Sequence, residues 1–476
     1  MEKERMREQN GRIGALMKDF VDRTADFYDH LKSQPVIRPT EESALQRLEQ
    51  ETIPAHGRDV EKVYEEMLRD VYSGTLLAQH PRSFACVPST ASMLSWMGDV
   101  MTNAYNPHAS CRNNAPAIDL IEKKLIRWMC GLAGYPEGSG GLFVSGGSIA
   151  NLTALTAARD TRLRADERSR AVVYLSDQTH ASVVKGLHMI GFTDGQIRRI
   201  PTDEEFCIDV GALEREVRRD LERGRKPFAA IASAGTTNTG SVDPMTEISG
   251  VCRSFGMWLH VDGAFGASAL LSEQRGAALQ GIGLSDSISW DAHKWLMQTY
   301  GCSVVLVRDR VALSGSFAAH PEYLRDAAGA EESVEFWDLG PELTRPARCL
   351  KLWITLQTAG TDAMGRVIEH GCALAELAQR ELERMDGWEI VSPARLGVLN
   401  FRYVPDGGMA QEELAEVNRR IAGRITESGY AQIFTTQLRA KTVLRMCTIH
   451  PETTEEDVLG TLDRLRRYAL ETVGKL

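Results

Sequence analysis

The 476-residue chain has no apolar run near the roughly 18 to 20 residues that a membrane-spanning helix needs, so no membrane partner is expected. Residues 1–7 are thick with charge and lack the apolar stretch of a secretory signal, and a cytoplasmic location follows as the expectation. Nine cysteines are scattered from Cys86 to Cys447 without a Cys-x-x-Cys pair, and no histidine has zinc-type spacing. That pattern indicates neither a disulfide framework nor a metal site. A basic excess is also missing. Lys and Arg number 55 against 65 Asp and Glu, for a net charge of −10, which argues against a nucleic-acid partner and for a small molecule. There is no internal repeat, low-complexity tract or long Pro/Gly/Ser linker, so domain limits come from changes of pattern.

What is present is the balance of an ordinary globular protein, with 43% hydrophobic and 25% charged residues. Residues 1–78 read as an N-terminal helical segment, because Ile13, Met17, Phe20 and Val21 recur at helical spacing around a polar break at 35–40. From 79 to 345, short apolar runs alternate with helical stretches. Runs at 141–144, 172–175, 228–232, 258–261 and 302–307 read as buried strands, while Ile118, Ile121, Leu125, Trp128, Met129 and Leu132 make one helical stripe. Strands separated by helices predict a large α/β domain on a mostly parallel sheet, whose ligands sit beyond the carboxyl ends of the strands. Residues 346–476 change pattern again. A helical connection at 350–356, strands at 396–403 and 442–449, and helices at 412–427 and 454–468 predict a small α+β C-terminal domain.

Four segments at predicted strand ends carry chemistry. Ser145-Gly146-Gly147-Ser148 joins a strand to a helical run, where backbone N–H groups, a hydroxyl and the helix dipole suit a phosphate; alone, it is equally a plain glycine turn. Asp262 ends a strand and precedes the small residues Gly263, Ala264, Gly266 and Ala267, which leave room for a flat ligand. It could equally be a helix cap. Lys294 lies between Trp290 and Trp295, and burial would lower its pKa toward the neutral amine that attacks a carbonyl. A snorkelling lysine is the plain alternative. His180 follows the strand at 172–175 and could stack on a flat ring, although a lone histidine is more often a cap neighbour or core residue. Thr236 and Thr237 add hydroxyls at a further strand end. Together these supply a phosphate cradle, an amine, a carboxylate for a ring nitrogen and a stacking imidazole, which are the requirements of pyridoxal phosphate.

The same residues resemble the group II pyridoxal-phosphate decarboxylases of the aspartate-aminotransferase fold, fold type I. Within them the likeness is to aromatic L-amino acid decarboxylases, especially the bacterial tryptophan decarboxylases. It runs from about His80 to Pro451 and is strongest at 145–152, 177–186, 235–244, 260–266 and 289–296. The resemblance implies that Lys294 holds the cofactor covalently, Asp262 partners the ring nitrogen and His180 stacks. It further implies that Gly147, Ser148 and His293 hold the phosphate, that Ala264 underlies the ring and that Thr237 flanks it. Tyr323, in His320-Pro321-Glu322-Tyr323, matches the tyrosine of a mobile catalytic loop, and a homodimer with the N-terminal segment as its arm is the implied assembly.

The resemblance also places Cys86, Val87, Pro88, Asn114 and Trp337 along the substrate pocket. Cys86 stands where similar tryptophan decarboxylases tend to have Phe, and Asn114 where they tend to have Leu, which implies a wider and more polar pocket. Trp337 favours an aromatic L-amino acid of the tryptophan, phenylalanine, tyrosine or DOPA class, whereas Arg112 would suit an acidic one. An aldehyde-forming relative is the rival within the family, but such enzymes usually change Tyr323 or His180, and both are retained here. A non-catalytic phosphate binder would not need Lys294 and Asp262 together.

Overall fold

Strands that are apolar throughout form only where both faces of a sheet can be covered. In the computed structural model of the chain, which describes residues 2–87, 91–319 and 334–474, they build one seven-stranded sheet. Its strands are β1 (Gly140–Val144), β2 (Ala171–Ser176), β3 (Ile197–Ile200), β4 (Lys226–Ser233), β5 (Trp258–Asp262), β6 (Ser287–Asp291) and β7 (Ser303–Val307), in the order β1-β7-β6-β5-β4-β2-β3. Neighbours from β6 to β3 run parallel, and β7 runs antiparallel to both β6 and β1. A parallel return needs a crossover element, and residues 292–302 between β6 and β7 contain no helix, so the chain turns straight back. β1 consequently points the same way as β2 to β6, and all six deliver their carboxyl ends to one edge.

The helix Gly147–Arg162 follows β1 and lies on this sheet. Ala150, Ala154, Ala157 and Ala158, all fully buried, recur at helical spacing, and their small side chains let the helix axis approach the strands closely. β3 has a different character. Ile197 and Ile200 are buried while Arg198 and Arg199 are not, and Arg198 reaches back to the buried Asp220 at 2.9 Å. Arg198 is half-buried and Arg199 exposed, so β3 is covered less completely than its neighbours and its sequence lacks an apolar run.

By compactness the chain divides into two units. The larger comprises Val87–Arg402 and Arg445–Pro451, and the smaller Met1–Cys86, Tyr403–Leu444 and Glu452–Leu476. The smaller unit includes the helices Glu2–Asp29, Gln411–Glu427 and Glu455–Val473, and the buried Asp457 gathers Lys32 at 2.8 Å and Arg82 at 3.2 Å. A second, antiparallel sheet is made of β8 (Trp388–Arg395), β9 (Val398–Tyr403), β10 (Phe434–Leu438) and β11 (Lys441–Cys447), in the order β10-β11-β9-β8. The parallel-sheet body with a smaller sheet is the architecture expected from the sequence.

One buried ion pair ties the large unit together next to the turn after β1. Arg345 donates to Glu122 at 2.6 Å and to the Phe143 carbonyl at 2.9 Å, while the same Glu122 oxygen accepts from the Phe143 N–H at 3.0 Å. Arg345 also donates to the Ala109 carbonyl at 3.1 Å, and its side chain is fully buried. Removing one partner of such a pair leaves the other charged and desolvated. Arg345→Met is therefore expected to cost about 3 to 5 kcal/mol in urea unfolding. A loss below about 1 kcal/mol, the range of an exposed pair, would contradict the pairing.

Candidate active site

A cavity of about 340 Å³ opens at the carboxyl edge of the large sheet, lined by residues that follow β1, β2, β4, β5 and β6. From β1 come Ser145, Gly146, Gly147 and Ser148. The first turn of a helix has N–H groups without helical partners, and these open the helix Gly147–Arg162 beside the cavity. Gly147 is required by close approach, since a Cβ there would stand 2.6 Å from an Asp291 carboxylate oxygen. The cradle is thus bare backbone, a serine hydroxyl and a helix N-terminus, which fits a phosphate group.

Asp262 closes β5. Its carboxylate accepts from Asn151 Nδ2 at 3.2 Å, from the Ala264 N–H at 3.2 Å and from Ser289 Oγ at 3.3 Å. Burial works against its ionisation, yet the positive charge of Lys294 and the Ala264 N–H hold its pKa below the ordinary aspartate value. An ionised, buried carboxylate is the group needed to keep a ring nitrogen protonated. The small residues beside it have mixed reasons. Ala264 lines the cavity, whereas a Cβ on Gly266 would strike the Ala234 carbonyl at 2.3 Å, so Gly266 serves the packing of two loops.

Lys294 follows β6, and its ammonium lies 3.2 Å from Asp291. Trp290 and Trp295 flank it in sequence but are buried core residues, with Trp295 stacked on Phe265 at 4.7 Å. Neither lines the cavity, so the carboxylate of Asp291 rather than a tryptophan cage is what holds the amine at the wall. His293 points beside it, its Nδ1 3.2 Å from Ser303 Oγ, and burial lowers its pKa. After β2, His180 caps the helix Ala181–Met189, its Nδ1 accepting from the Ser182 N–H at 3.2 Å. The β4 end supplies Ser233, Gly235, Thr236 and Thr237.

Lys294, Asp262, His180, Gly147, Ser148, Thr237, Ala264, His293 and Val87 therefore line one cavity. Cys86, Asn114 and Trp337 are not among its lining residues. Asn114 is exposed and bonds to His108 at 3.1 Å; Trp337 is buried, with its backbone N–H donating to the Ser110 carbonyl at 3.2 Å. Tyr323 and Pro88 lie outside the described residues. Among the described residues no cluster of His, Cys, Asp and Glu could hold a metal, and no helix is long and apolar enough to cross a membrane.

Sequence reasoning missed Asn151, Ser182, Gln178, Asp291, Tyr300 and Gly301, all of which line the cavity. Asn151 had a readable signal, as the polar residue one helical turn after Gly147 within an alanine-rich face. Tyr300 had none, because a loop placed it: buried Lys351 donates to the carbonyls of Thr299 at 3.1 Å and Tyr300 at 2.7 Å while pairing with Asp99 at 3.0 Å.

With this geometry in hand, known proteins give a consistent picture. Residues 42–404 match the family model described as the pyridoxal-dependent decarboxylase conserved domain. The aromatic-L-amino-acid decarboxylase of Bacillus atrophaeus is 39% identical over 452 residues, covering 95% of this chain and 94% of that protein. The phenylacetaldehyde synthase of Arabidopsis thaliana is 30% identical over 468 residues, covering 96% and 94%. The crystal structure of Oryza sativa TDC with PLP and tryptamine has a TM-score of 0.90 at 28% identity, covering 96% of this chain and 98% of that one. A chain matched along nearly its whole length, with a cavity that suits a phosphate and a protonated ring nitrogen, belongs to the pyridoxal-dependent decarboxylase family and takes pyridoxal phosphate as its cofactor.

Proposed function

We propose that the chain removes the carboxyl group of an aromatic L-amino acid and releases the corresponding amine. The observation that carries this reading is the joint placement of Lys294 and Asp262 at neighbouring strand ends in one cavity. The aromatic side chain is supported by the names of the relatives, among them the Bacillus atrophaeus enzyme. A homodimer, implied by the resemblance, is part of the same reading.

Pyridoxal phosphate, when bound, supplies a sink for the electron pair left on Cα as carbon dioxide departs. The residues of the chain do the rest. Lys294 offers the amine for the covalent link, held at the wall by Asp291. Gly147, Ser148 and His293 would hold the phosphate, with Ala264 and Thr237 beside the ring. Asp262 would keep a proton on the ring nitrogen, and His180 would stack on the ring. Tyr323, by the family resemblance, would deliver a proton to Cα. Without that proton the carbon is open to dioxygen, and aldehyde, ammonia and peroxide replace the amine. Retention of both Tyr323 and His180 favours the amine over the aldehyde.

Three outcomes are expected. Offered a panel of L-amino acids, with amine, aldehyde and carbon dioxide all measured, the enzyme should turn over tryptophan, phenylalanine, tyrosine or DOPA fastest; an acidic amino acid outcompeting every aromatic would overturn the substrate class. Asp262→Ala should lose several orders of magnitude in rate, and a loss below tenfold, about 1.4 kcal/mol, would mean that another group protonates the ring nitrogen. Tyr323→Phe should keep carbon dioxide release in air but divert the product from amine to aldehyde and peroxide. Unchanged amine yield would assign the proton to another acid.

A further inference from the structure

From the core to the cavity wall runs a chain of buried side chains, Trp258, Ser287, His260, Asn151 and Ser182, that the reaction does not itself use. Trp258 Nε1 donates to Ser287 Oγ at 2.8 Å, and Ser287 Oγ lies 2.8 Å from His260 Nδ1. His260 Nε2 is 2.9 Å from Asn151 Oδ1. The Asn151 amide nitrogen then reaches both Asp262 Oδ2 at 3.2 Å and Ser182 Oγ at 3.0 Å, and Ser182 Oγ lies 2.8 Å from His180 Nδ1. Trp258, Ser287 and His260 are buried, as are Asn151 and Ser182.

The direction of every proton in this chain is fixed by the carboxylate at its centre. Asp262 is ionised and accepts only, so the Asn151 atom facing it is the NH2 group and not the carbonyl. Asn151 Oδ1 therefore faces His260, whose Nε2 must carry a proton. Burial holds His260 below its ordinary pKa, so the ring is neutral, its Nδ1 is bare, and the Ser287 hydroxyl donates to it while accepting from Trp258. On the other side, the second proton of the Asn151 amide goes to Ser182 Oγ. That hydroxyl then has its own proton free for His180 Nδ1, which also accepts the Ser182 N–H at 3.2 Å. The proton of a neutral His180 is left on Nε2.

We infer that Asn151 is a positioning residue that fixes the Asp262 carboxylate and, through the Ser182 hydroxyl, reinforces the bare Nδ1 that the Ser182 N–H also demands, so that His180 meets the bound substrate as an Nε2–H donor. The reference to a substrate rests on the decarboxylase reading, but the tautomer does not. One amide couples the group beneath the ring nitrogen to the group over the ring face, and His260 holds that amide the right way round. A donor at Nε2 suits an anionic substrate group such as a carboxylate and cannot remove a proton.

Asn151→Asp tests this, because it keeps the shape of the side chain and replaces the donating NH2 by an oxygen. The ionised carboxylate accepts the Ser182 hydroxyl proton, so His180 Nδ1 loses its bond from that hydroxyl and keeps only the Ser182 N–H. The experiment is nitrogen NMR of the histidine-labelled protein purified with pyridoxal phosphate, with the His180 signals identified by their loss in His180→Asn. The wild type is expected to show a bare Nδ1 and a protonated Nε2 at His180, and Asn151→Asp a shifted Nδ1 signal as the bond from the Ser182 hydroxyl is lost. In Ser182→Ala, where the connecting hydroxyl is gone, adding Asn151→Asp is expected to leave the His180 signals unmoved. A protonated Nδ1 in the wild type overturns the inference even if no variant folds. So does a His180 signal that ignores Asn151→Asp, or one that responds to it equally without the Ser182 hydroxyl. None of these readings depends on turnover, so an inactive enzyme with the expected tautomer would refute the decarboxylase reading alone.

Discussion

A carboxylate that must stay charged in a buried place is the constraint around which this molecule is arranged. Taking Asp262 out of water costs several kcal/mol unless donors replace the water it loses. Asn151, Ser289 and the Ala264 N–H supply three such bonds, each worth roughly 1.5 to 3 kcal/mol when the acceptor is ionised. Lys294 adds a positive charge across the cavity. Each donor comes from a different element: the helix after β1, the strand β6, and the turn after β5. The carboxylate is consequently stable only when the carboxyl edge of the sheet is assembled, which makes folding and the electrostatics of the site one problem.

The turn that follows β1 depends on a second buried charge. Glu122 and Arg345 grip both the N–H and the carbonyl of Phe143, one residue from the end of β1, and so fix where the turn at 145–148 begins. Lys351 does the same for the loop bearing Tyr300 and Gly301. In both cases a cation outside the cavity holds backbone carbonyls, leaving the cavity wall itself to small residues and hydroxyls. A bare glycine at 147 is the counterpart of this stiffness, because the Asp291 carboxylate already occupies the space a side chain would take.

How much of this was legible depended on how completely each element is buried. β1, β2, β4, β5 and β7 are apolar runs covered on both faces, and their positions could be read directly from the sequence. β3, with Arg198 and Arg199 at its centre, and β8, which carries Pro393 and is only half-buried, give no such run. The helix Thr361–Leu382 was readable from Met364, Ile368, Ala375 and Leu382 but was passed over. Lys294, Asp262 and His180, with distinctive chemistry at strand ends, were legible as candidates because strand ends are where ligands bind, and all three line the cavity. Asn151 and His260 act through other side chains across more than a hundred positions of sequence, and no local pattern announces such a partnership. The pocket residues Asn114 and Trp337 came from resemblance alone, and the cavity wall does not include them.

The central claim is that Lys294 is the amine to which the cofactor is joined, and its most direct test is chemical. The protein purified with pyridoxal phosphate would be reduced with borohydride, digested, and its peptides mapped by mass. The account predicts a pyridoxyl group on Lys294, with loss of the visible absorbance band, and no label in Lys294→Ala. Label on a different lysine, or an absorbance band in Lys294→Ala that borohydride still removes, would contradict it.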